Sequence, residues 1–521
     1  MPNMEKLQSY KFVCEGGLDS NQNYLALSDR TPGAATTLVN FEPSLFGGYR
    51  RINGFTPLEE DHDEVDPTLA EGRILGISIY NQGVITARKL KAGNIYNFYQ
   101  WVPGSAWSGF ITGLTLSTVN MDKLRYDTFN FDGTDKVVYV DGTNGVIIYD
   151  GTTWNQPTGD QSIPDPKYVS VFKNTIFVSG DTTDPNLVVY SAPNDESDWT
   201  AASGAGQINA GFVVKAIKPF RDELYVFGET KIRKIVVSGT DFVIQDVTWN
   251  IGLVASDSVQ EINGDLLFLS QDGLRTIAAT ERIGDVELAI QTKNIQQDIT
   301  DLITTSDLPS VTSVVIRRKS QIRYFFGDSL TDTTLSNGII GGLKGDNNGI
   351  SWEWGKLLGI RSSVCTSGYI VTEEFVIHGD YNGKVYRQEV GNDFDGDNIP
   401  AVYATPYLDF GESQVRKTLH KVTVFLRAEG VLSLGTAIQY DWDSAFVTNP
   451  STYTIIGDVA GVVYGEGIYG TSMYATSVSP VLLTNVEGSG FSNKITFATN
   501  DMNAPYSIQG IVYEYAVAGR K

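Results

Sequence analysis

The chain has 521 residues and a formal net charge of −22, from 39 basic and 61 acidic side chains. Its 53 Gly, 26 Tyr and 24 Phe against 5 Met favour pleated strands joined by turns, so we predict an all-β chain of more than one domain. No basic run is present that would neutralise phosphates, which argues against a dedicated nucleic-acid-binding protein.

Cysteine usage and the N-terminal sequence bear on the compartment. Cys14 and Cys365 are the two cysteines, without a CxxC pair or metal-ligand spacing, which argues against a disulfide-rich secreted protein. The first residues lack the apolar core of a signal peptide, and no apolar run is long enough to cross a membrane. We therefore expect synthesis in the cytoplasm and no membrane insertion.

Residues 1–72 are rich in Gly and Asn and lack the repeat that follows. They include an acidic stretch, "LEEDHDEVDP", from Leu58 to Pro67. We predict an extended segment with an acidic loop that serves in assembly, because it has no internal repeat to pack on.

A polar turn followed by an alternating apolar strand recurs through residues 73–390, at spacings of 41 to 57 residues. The copies are "YNQGVITAR" from Tyr80, the strands after Phe131, "FKNTIFVSG" from Phe172, "FRDELYVFG" from Phe220, "INGDLLFLS" from Ile262, "KSQIRYFFG" from Lys319 and "EEFVIHGDYNG" from Glu373. A degenerate repeat of this length is typical of β-propeller blades, and we predict six or seven of them. The alternative is a series of unrelated hairpins in stacked sandwiches.

Asp-Gly-Thr occurs three times at intervals of nine residues, at Asp132, Asp141 and Asp150. Asp-Gly supplies the positive φ that reverses an antiparallel pair, so the triplets predict a meander of short strands. The last copy, "IYDGTTW", resembles the Asp-box of sialidase-type propellers, although its Ser and one spacer residue are missing. An Asp-box is a structural turn, and a glycan-cleaving propeller remains the alternative.

One segment departs from the β pattern. Glu287–Ile303 places Ile290, Ile295, Ile299 and Leu302 at nearly helical intervals, which predicts one amphipathic helix. Such a helix either covers a blade or contacts another subunit. With this segment included, we expect a helix content below about 10%.

"DFDGDNI" places Asp393, Asp395 and Asp397 at alternate positions, as in the first half of a calcium-binding loop. The match is partial, because Asn398 stands where an EF-hand has Gly and Ala404 where it has the closing Glu. The pattern predicts either a weak calcium site or a polar turn between strands.

No other pattern in the sequence indicates chemistry. The histidines, His62, His378 and His420, lie far apart in unlike contexts, and no GxSxG motif is present. We therefore predict a protein without catalytic residues or cofactors. Residues 391–521 carry long alternating strands without the blade spacing, which predicts a C-terminal β-sandwich.

Two long stretches and the C-terminus resemble one family. Gly16–Phe55 is similar to the opening of tail proteins of short-tailed bacteriophages, and Gly383–Val424 to the junction between their propeller and C-terminal β-domain. The closing "YSIQGIVYEYAVAGRK" is also similar. The family is the tail nozzle, or tail hub, also called the packaged-DNA stabilisation protein.

The resemblance implies a structural virion protein located in the tail. In that family a ring of subunits, commonly six, closes the DNA exit channel beneath the portal and adaptor proteins and carries fibres or spikes. It implies a homo-hexamer whose partners are portal or adaptor proteins, tail fibres or spikes, and genomic DNA passing without specific binding. The alternative is a glycan-binding or glycan-cleaving propeller of a tailspike or surface glycosidase.

The negative net charge of the chain suggests how the lumen of such a ring would interact with DNA. Acidic side chains facing the lumen would repel the phosphates over about 8–10 Å and keep ejection fast. The candidate channel-lining residues are Glu59, Glu60, Asp61, Asp63 and Glu64. The alternative is that this loop is solvated on the outer surface.

Overall fold

A computed structural model describes most of the chain. The described residues are 7–23, 27, 33–44, 47–59, 72–90, 95–109, 113–114, 116–119, 121, 123–239, 241–277, 290–329, 336–346, 349–457 and 481–518. Of these residues 52% lie in strands and 6% in helices, which confirms the predicted all-β fold. No helix in this part of the chain is long and apolar enough to cross a membrane.

Five short strands precede the propeller repeat. They are Gln8–Val13, Thr37–Val39, Phe41–Pro43, Tyr49–Arg51 and Phe55–Pro57 (β1–β5).

The next four sheets are antiparallel four-stranded blades in chain order. The first blade is Ile74–Tyr80, Gly83–Lys89, Tyr96–Trp101 and Ser108–Gly109 (β6–β9). The second is Arg125–Phe129, Lys136–Val140, Ile147–Tyr149 and Trp154–Asn155 (β10–β13). The third is Tyr168–Phe172, Thr175–Ser179, Leu187–Tyr190 and Gly206–Asn209 (β14–β17). The fourth is Ala216–Phe220, Glu223–Phe227, Ile232–Ser238 and Asp241–Thr248 (β18–β21).

Three further sheets complete the ring. The fifth has three described strands, Gln260–Ile262, Asp265–Ser270 and Gly273–Thr276 (β22–β24). The sixth is Thr312–Ile316, Gln321–Phe326, Asn337–Asp346 and Gly349–Leu358 (β25–β28). The last consists of Val364–Ile370, Glu373–Gly379 and Val385–Gln388 (β29–β31), and β5 pairs with β31 as its outer strand. Six four-stranded blades and one three-stranded sheet therefore form the predicted propeller.

Apolar clusters lie between neighbouring sheets all round the ring. The facing pairs, in ring order, include Phe98 with Tyr139, Val138 with Ile176, Phe177 with Leu224, Phe227 with Phe268, Leu269 with Tyr324, Phe325 with Val376, and Ile377 with Ile77. Each fully buried side chain of this kind stabilises the fold by about 1.5–3 kcal/mol. The sheets thus bury their faces on one another, as the repeat predicts.

The Asp-Gly-Thr triplets form the turns of the second blade, as predicted. Gly133, Gly142 and Gly151 have φ values of 94°, 78° and 96°, a region that side chains avoid. Asp150 accepts hydrogen bonds from the backbone N–H groups of Thr152 and Thr153 at 2.8 and 2.7 Å. The aspartates therefore hold their own turns.

The C-terminal strands form a β-sandwich with the N-terminal strands. They are Ile399–Ala404, Lys417–Ala428, Leu432–Tyr440, Tyr453–Gly457, Val481–Asn485, Ser489–Gly490, Asn493–Asp501 and Tyr506–Val517 (β32–β39). One sheet has the order β3-β4-β39-β33-β36, with β1 on β39, and the other runs β2-β32-β38-β34-β35. Tyr49 and Tyr403 stack between the two sheets with ring centroids 5.9 Å apart.

The sandwich and the propeller share one sheet. Strand β2 pairs with β28 of the sixth blade on one side and with β32 on the other, which makes a nine-stranded sheet. Residues on both sides of the predicted limits at 72 and 390 are therefore joined by sheet hydrogen bonds. All five strands of the N-terminal segment pair within the chain.

Gln296–Thr305 (α1) is an α-helix described over its whole length, and it is shorter than the predicted span from Glu287. Ile290 lies in a β-bridge with Arg275, and a 3₁₀ turn, Lys293–Ile295, precedes the helix. Ile295 and Ile299 are buried in the core cluster that extends from the fifth sheet into the sandwich. The helix therefore covers the core, which was one of its two predicted roles. Other 3₁₀ turns are Ala201–Ser203, Ser256–Ser258, Leu308–Ser310 and Arg317–Lys319.

Candidate functional site: the central cavity of the propeller

The first strands of the seven sheets surround a cavity of about 360 Å³ on the propeller axis. Every sheet contributes to its lining, with Ile77, Arg125, Tyr168, Ala216, Gln260, Thr312 and Val364 as one residue from each. Because each blade starts at the axis, alternate side chains of its first strand point into this space.

An ionic contact between one carboxylate and two cationic side chains spans the cavity. Asp257, just before β22, accepts hydrogen bonds from Arg125 Nε and Nη2 at 2.7 and 3.0 Å. Lys123 Nζ lies 3.2 Å from Asp257 Oδ2 and also donates to two backbone carbonyls. Burial alone would raise the pKa of Asp257, but the charges of Arg125 and Lys123 lower it to about 2. This ionised group ties the second blade to the fifth sheet.

A second carboxylate, Asp127 of β10, has different surroundings. Its oxygens accept hydrogen bonds from the N–H groups of Val171 and Thr128, both at 2.8 Å, and from Ser170 Oγ at 3.4 Å. Burial raises the pKa of Asp127, and the charge of Lys218 opposes this rise. Asp127 therefore braces the second blade against the third.

Polar side chains also bridge sheets that are not neighbours. Tyr126 Oη lies 2.8 Å from Thr366 Oγ1, and Tyr168 Oη lies 3.0 Å from Ser256 Oγ. The Arg125 guanidinium lies 5.0 Å above the Tyr168 ring. These contacts close the axis to anything as wide as a DNA duplex.

The remaining titratable groups of the cavity are also held by the protein. Burial raises the pKa of Cys365 to about 12, so its thiol, 3.1 Å from Thr312 Oγ1, stays protonated. Asp257 and Asp127 differ in pKa as a glycosidase pair would, but both oxygens of each already accept hydrogen bonds. The described lining residues include no histidine.

The predicted calcium loop forms a polar turn. Asp393 Oδ1 accepts the Gly396 N–H at 2.8 Å, while Asp395 accepts hydrogen bonds from Tyr386 Oη and Lys384 Nζ at 3.1 and 3.3 Å. Asp397 is exposed. No group of three His, Cys, Asp or Glu side chains in the described part of the chain is placed to hold a metal ion, and the three aspartates are not brought together.

Of the five predicted channel-lining residues, Glu59 lies within the described structure. It accepts the Trp107 N–H at 2.9 Å, beside β9, which is the outer strand of the first blade. Glu60, Asp61, Asp63 and Glu64 lie outside the described residues.

A buried ionic cluster, which the sequence did not reveal, lies at the junction of propeller and sandwich. Arg323 of β26 contacts Glu42 of β3 and Glu389, which follows β31. Lys319 Nζ lies 2.7 Å from Glu42 Oε1 and also contacts Glu389. Burial alone would raise the pKa of Glu389, but the charges of Arg323 and Lys319 lower it to about 2. Removing one member would leave buried charge only partly compensated, so this cluster stabilises the junction.

The sequence held a signal for the cavity that motif searches do not use. Arg125 and Asp127 occupy alternate positions of an otherwise blade-like strand, where a first strand buried on both sides would be apolar. Lys218 is likewise a charged residue within the otherwise apolar first strand "AIKPF". Charged residues in the first strands of the second and fourth blades therefore mark the cavity lining.

Comparison with known proteins found no matching family model and no similar curated protein sequence. Among solved structures, the chain is similar to Chaetomium thermophilum Raptor at 11% identity and a TM-score of 0.38, over 66% of this chain and 29% of that one. It is similar to the extracellular domain of a one component system of B. thetaiotaomicron at 10% identity and a TM-score of 0.39, over 84% and 47%. Kluyvelomyces marxianus Hsv2 gives 11% identity and a TM-score of 0.33, over 55% and 87%. The chain spans less than half the length of the first two structures.

Proposed function

We propose that the chain is a structural protein of the virion tail of a short-tailed bacteriophage, the nozzle or hub that closes and then conducts the DNA exit channel. The proposal rests on the positions in the fold of the two sequence stretches that resemble the tail nozzle family. Gly16–Phe55 and Gly383–Val424 come from opposite parts of the sequence, yet β2 pairs with β32 and β5 with β31. The stretches that resemble the family thus build one continuous junction between propeller and sandwich.

The construction of the molecule suits a mechanical role. A nine-stranded sheet runs from the sixth blade into the sandwich, and the Arg323 cluster braces the same junction. Both oxygens of Asp257 and of Asp127 are held by the protein itself, which favours assembly over glycan cleavage.

The closed propeller axis implies where DNA would pass. Since Arg125, Asp257, Tyr126 and Thr366 cross the axis, a duplex has to run between copies of the chain and not through one propeller. The proposal therefore requires a ring, for which we take six copies. Its partners are portal or adaptor proteins and tail fibres or spikes, and its lumen is acidic.

Cryo-electron microscopy of purified virions and of the isolated protein tests the proposal. We expect a ring of about six copies at the centre of the tail tip, whose lumen has a negative surface potential. A peripheral position, or a monomer that releases sugar from host polysaccharide, would contradict the nozzle and support the glycan-cleaving alternative. In that case Asp127→Asn and Asp257→Asn should abolish the sugar release, whereas Asp222→Asn, on an exposed turn, should not.

A further inference from the structure

The central cavity carries a surplus of positive charge inside an acidic protein. Its lining includes four cationic side chains and two carboxylates; these are Lys123, Arg125, Lys218, Arg317, Asp127 and Asp257. The lining thus carries two more positive than negative charges, although the whole chain has a formal charge of −22. Unbalanced charge in a concave, partly desolvated space is costly unless a counter-ion enters.

The surplus is divided between the two ends of the cavity. Lys123 and Arg125 outnumber Asp257 by one near the start of the first strands. Lys218 lies at the middle of β18, and Arg317 directly follows β25, so both lie farther along the axis. They outnumber Asp127, on which the charge of Lys218 acts, by one.

Arg317 is available to a ligand. It is exposed, and its Nη1 donates to Ser367 Oγ at 3.1 Å. Within the described part of the chain its other guanidinium donors have no hydrogen-bond partner. Arg317 also lines a second cavity, of about 270 Å³, next to Glu261, Asn263 and Ser320. The guanidinium therefore lies where the central cavity meets further open space.

We infer that the central cavity binds a small phosphate-type dianion between Lys218 and Arg317. A dianion would balance the two surplus positive charges of the lining. The guanidinium of an arginine can donate two parallel hydrogen bonds to phosphate oxygens, and the ammonium of a lysine adds a second positive charge. Ser170, Gln260 and Ser367 supply neutral polar groups around it. The central cavity is within the size range of small-molecule sites, and the second cavity leaves space for the organic part of a phosphomonoester.

Isothermal titration calorimetry of the full chain with inorganic phosphate, in chloride buffer of constant ionic strength, tests this site. We expect saturable binding of one phosphate per chain, and an affinity reduced about tenfold or more in Lys218→Met/Arg317→Gln. Lys173→Met is the matched control, because Lys173 pairs with Asp222 on a neighbouring exposed turn and should bind phosphate like the wild type. Absence of saturable binding, or an equal loss in the control, would overturn the site.

A second measurement does not depend on the variants. A structure of the wild-type chain with arsenate, which mimics phosphate, should show the heavy anion between Lys218 and Arg317. Anion density elsewhere, or none, would overturn the proposal. A phosphomonoester that competes with phosphate would assign the site to the headgroup of a larger ligand, whereas binding of phosphate alone would assign it to the free ion.

Discussion

Asp141 and Asp150 occupy the same position in two Asp-Gly-Thr triplets but differ in burial. Asp141 is fully buried and accepts hydrogen bonds from Tyr96 Oη of the first blade at 2.7 Å and from the Thr143 N–H at 2.8 Å. Asp150 is partly exposed and serves its own turn, where hydrogen bonds from Thr153 lower its pKa.

This contrast predicts unequal costs for the same substitution. Asp141→Ala leaves Tyr96 and two backbone N–H groups without acceptors, so we expect a loss of about 3 kcal/mol of unfolding free energy. Asp150→Ala exposes its turn to water and should cost about 1 kcal/mol or less. Urea denaturation followed by circular dichroism measures both, and equal losses would show that the Tyr96 contact between blades contributes nothing.

His378 predicts a pH dependence of stability. It is 1% exposed, and burial, followed by the charge of Arg323, lowers its pKa to about 3. Between this value and the unfolded value near 6.5, the unfolded chain binds the extra proton, so stability falls as the pH falls through that window. The wild type should lose about 2 kcal/mol more than His378→Gln between pH 7 and pH 5. Parallel stability curves for the two proteins would contradict the prediction.

At the scale of elements, β5 determines whether the ring closes. Phe55 packs against His378, Tyr386 and Phe394 with ring centroids 4.9 Å from each. Phe55→Ala should cost about 3–4 kcal/mol and raise amide hydrogen exchange in β29–β31 above that in the other blades. Val13→Ala, at an exposed position of β1, is the control and should change neither. Uniform exchange across all blades would mean that β5 does not hold the last blade.

The sequence predicted those elements whose signals are local. A turn such as Lys173-Asn174, with φ values of 48° and 55°, and the strands beside it lie within a short window, so the repeat is readable. The placement of β2 and β5 could not be predicted from the sequence. Their partner strands lie more than three hundred positions away, and the N-terminal segment has no periodicity of its own. The cavity was missed for the same reason, since its lining residues come from seven separate sheets and its charged residues from four of them.

At the scale of the whole molecule, the shared sheet predicts one cooperative unfolding unit. Asn40 Nδ2 donates to the carbonyls of Leu358 in the sixth blade and Pro400 in the sandwich, at 2.8 and 2.7 Å. We expect a single calorimetric transition, and in Asn40→Gly, which keeps the backbone φ of 57° accessible, a lower midpoint and still one transition. Two resolved transitions in the wild type would contradict this coupling.

The pairing of β5 with β31 also sets an order of events during synthesis. On a ribosome that adds about 5–20 residues per second, Pro57 emerges about 15–65 s before its partner Tyr386. Throughout that interval the nascent chain holds an unpaired strand and an unclosed row of blades. β1 stays unpaired for longer than β5, because its partner β39 ends at Val517. A messenger RNA truncated before the codon of Val385 would therefore yield a chain that can form most of the blades but cannot close the ring. Its unpaired strand edges would promote aggregation.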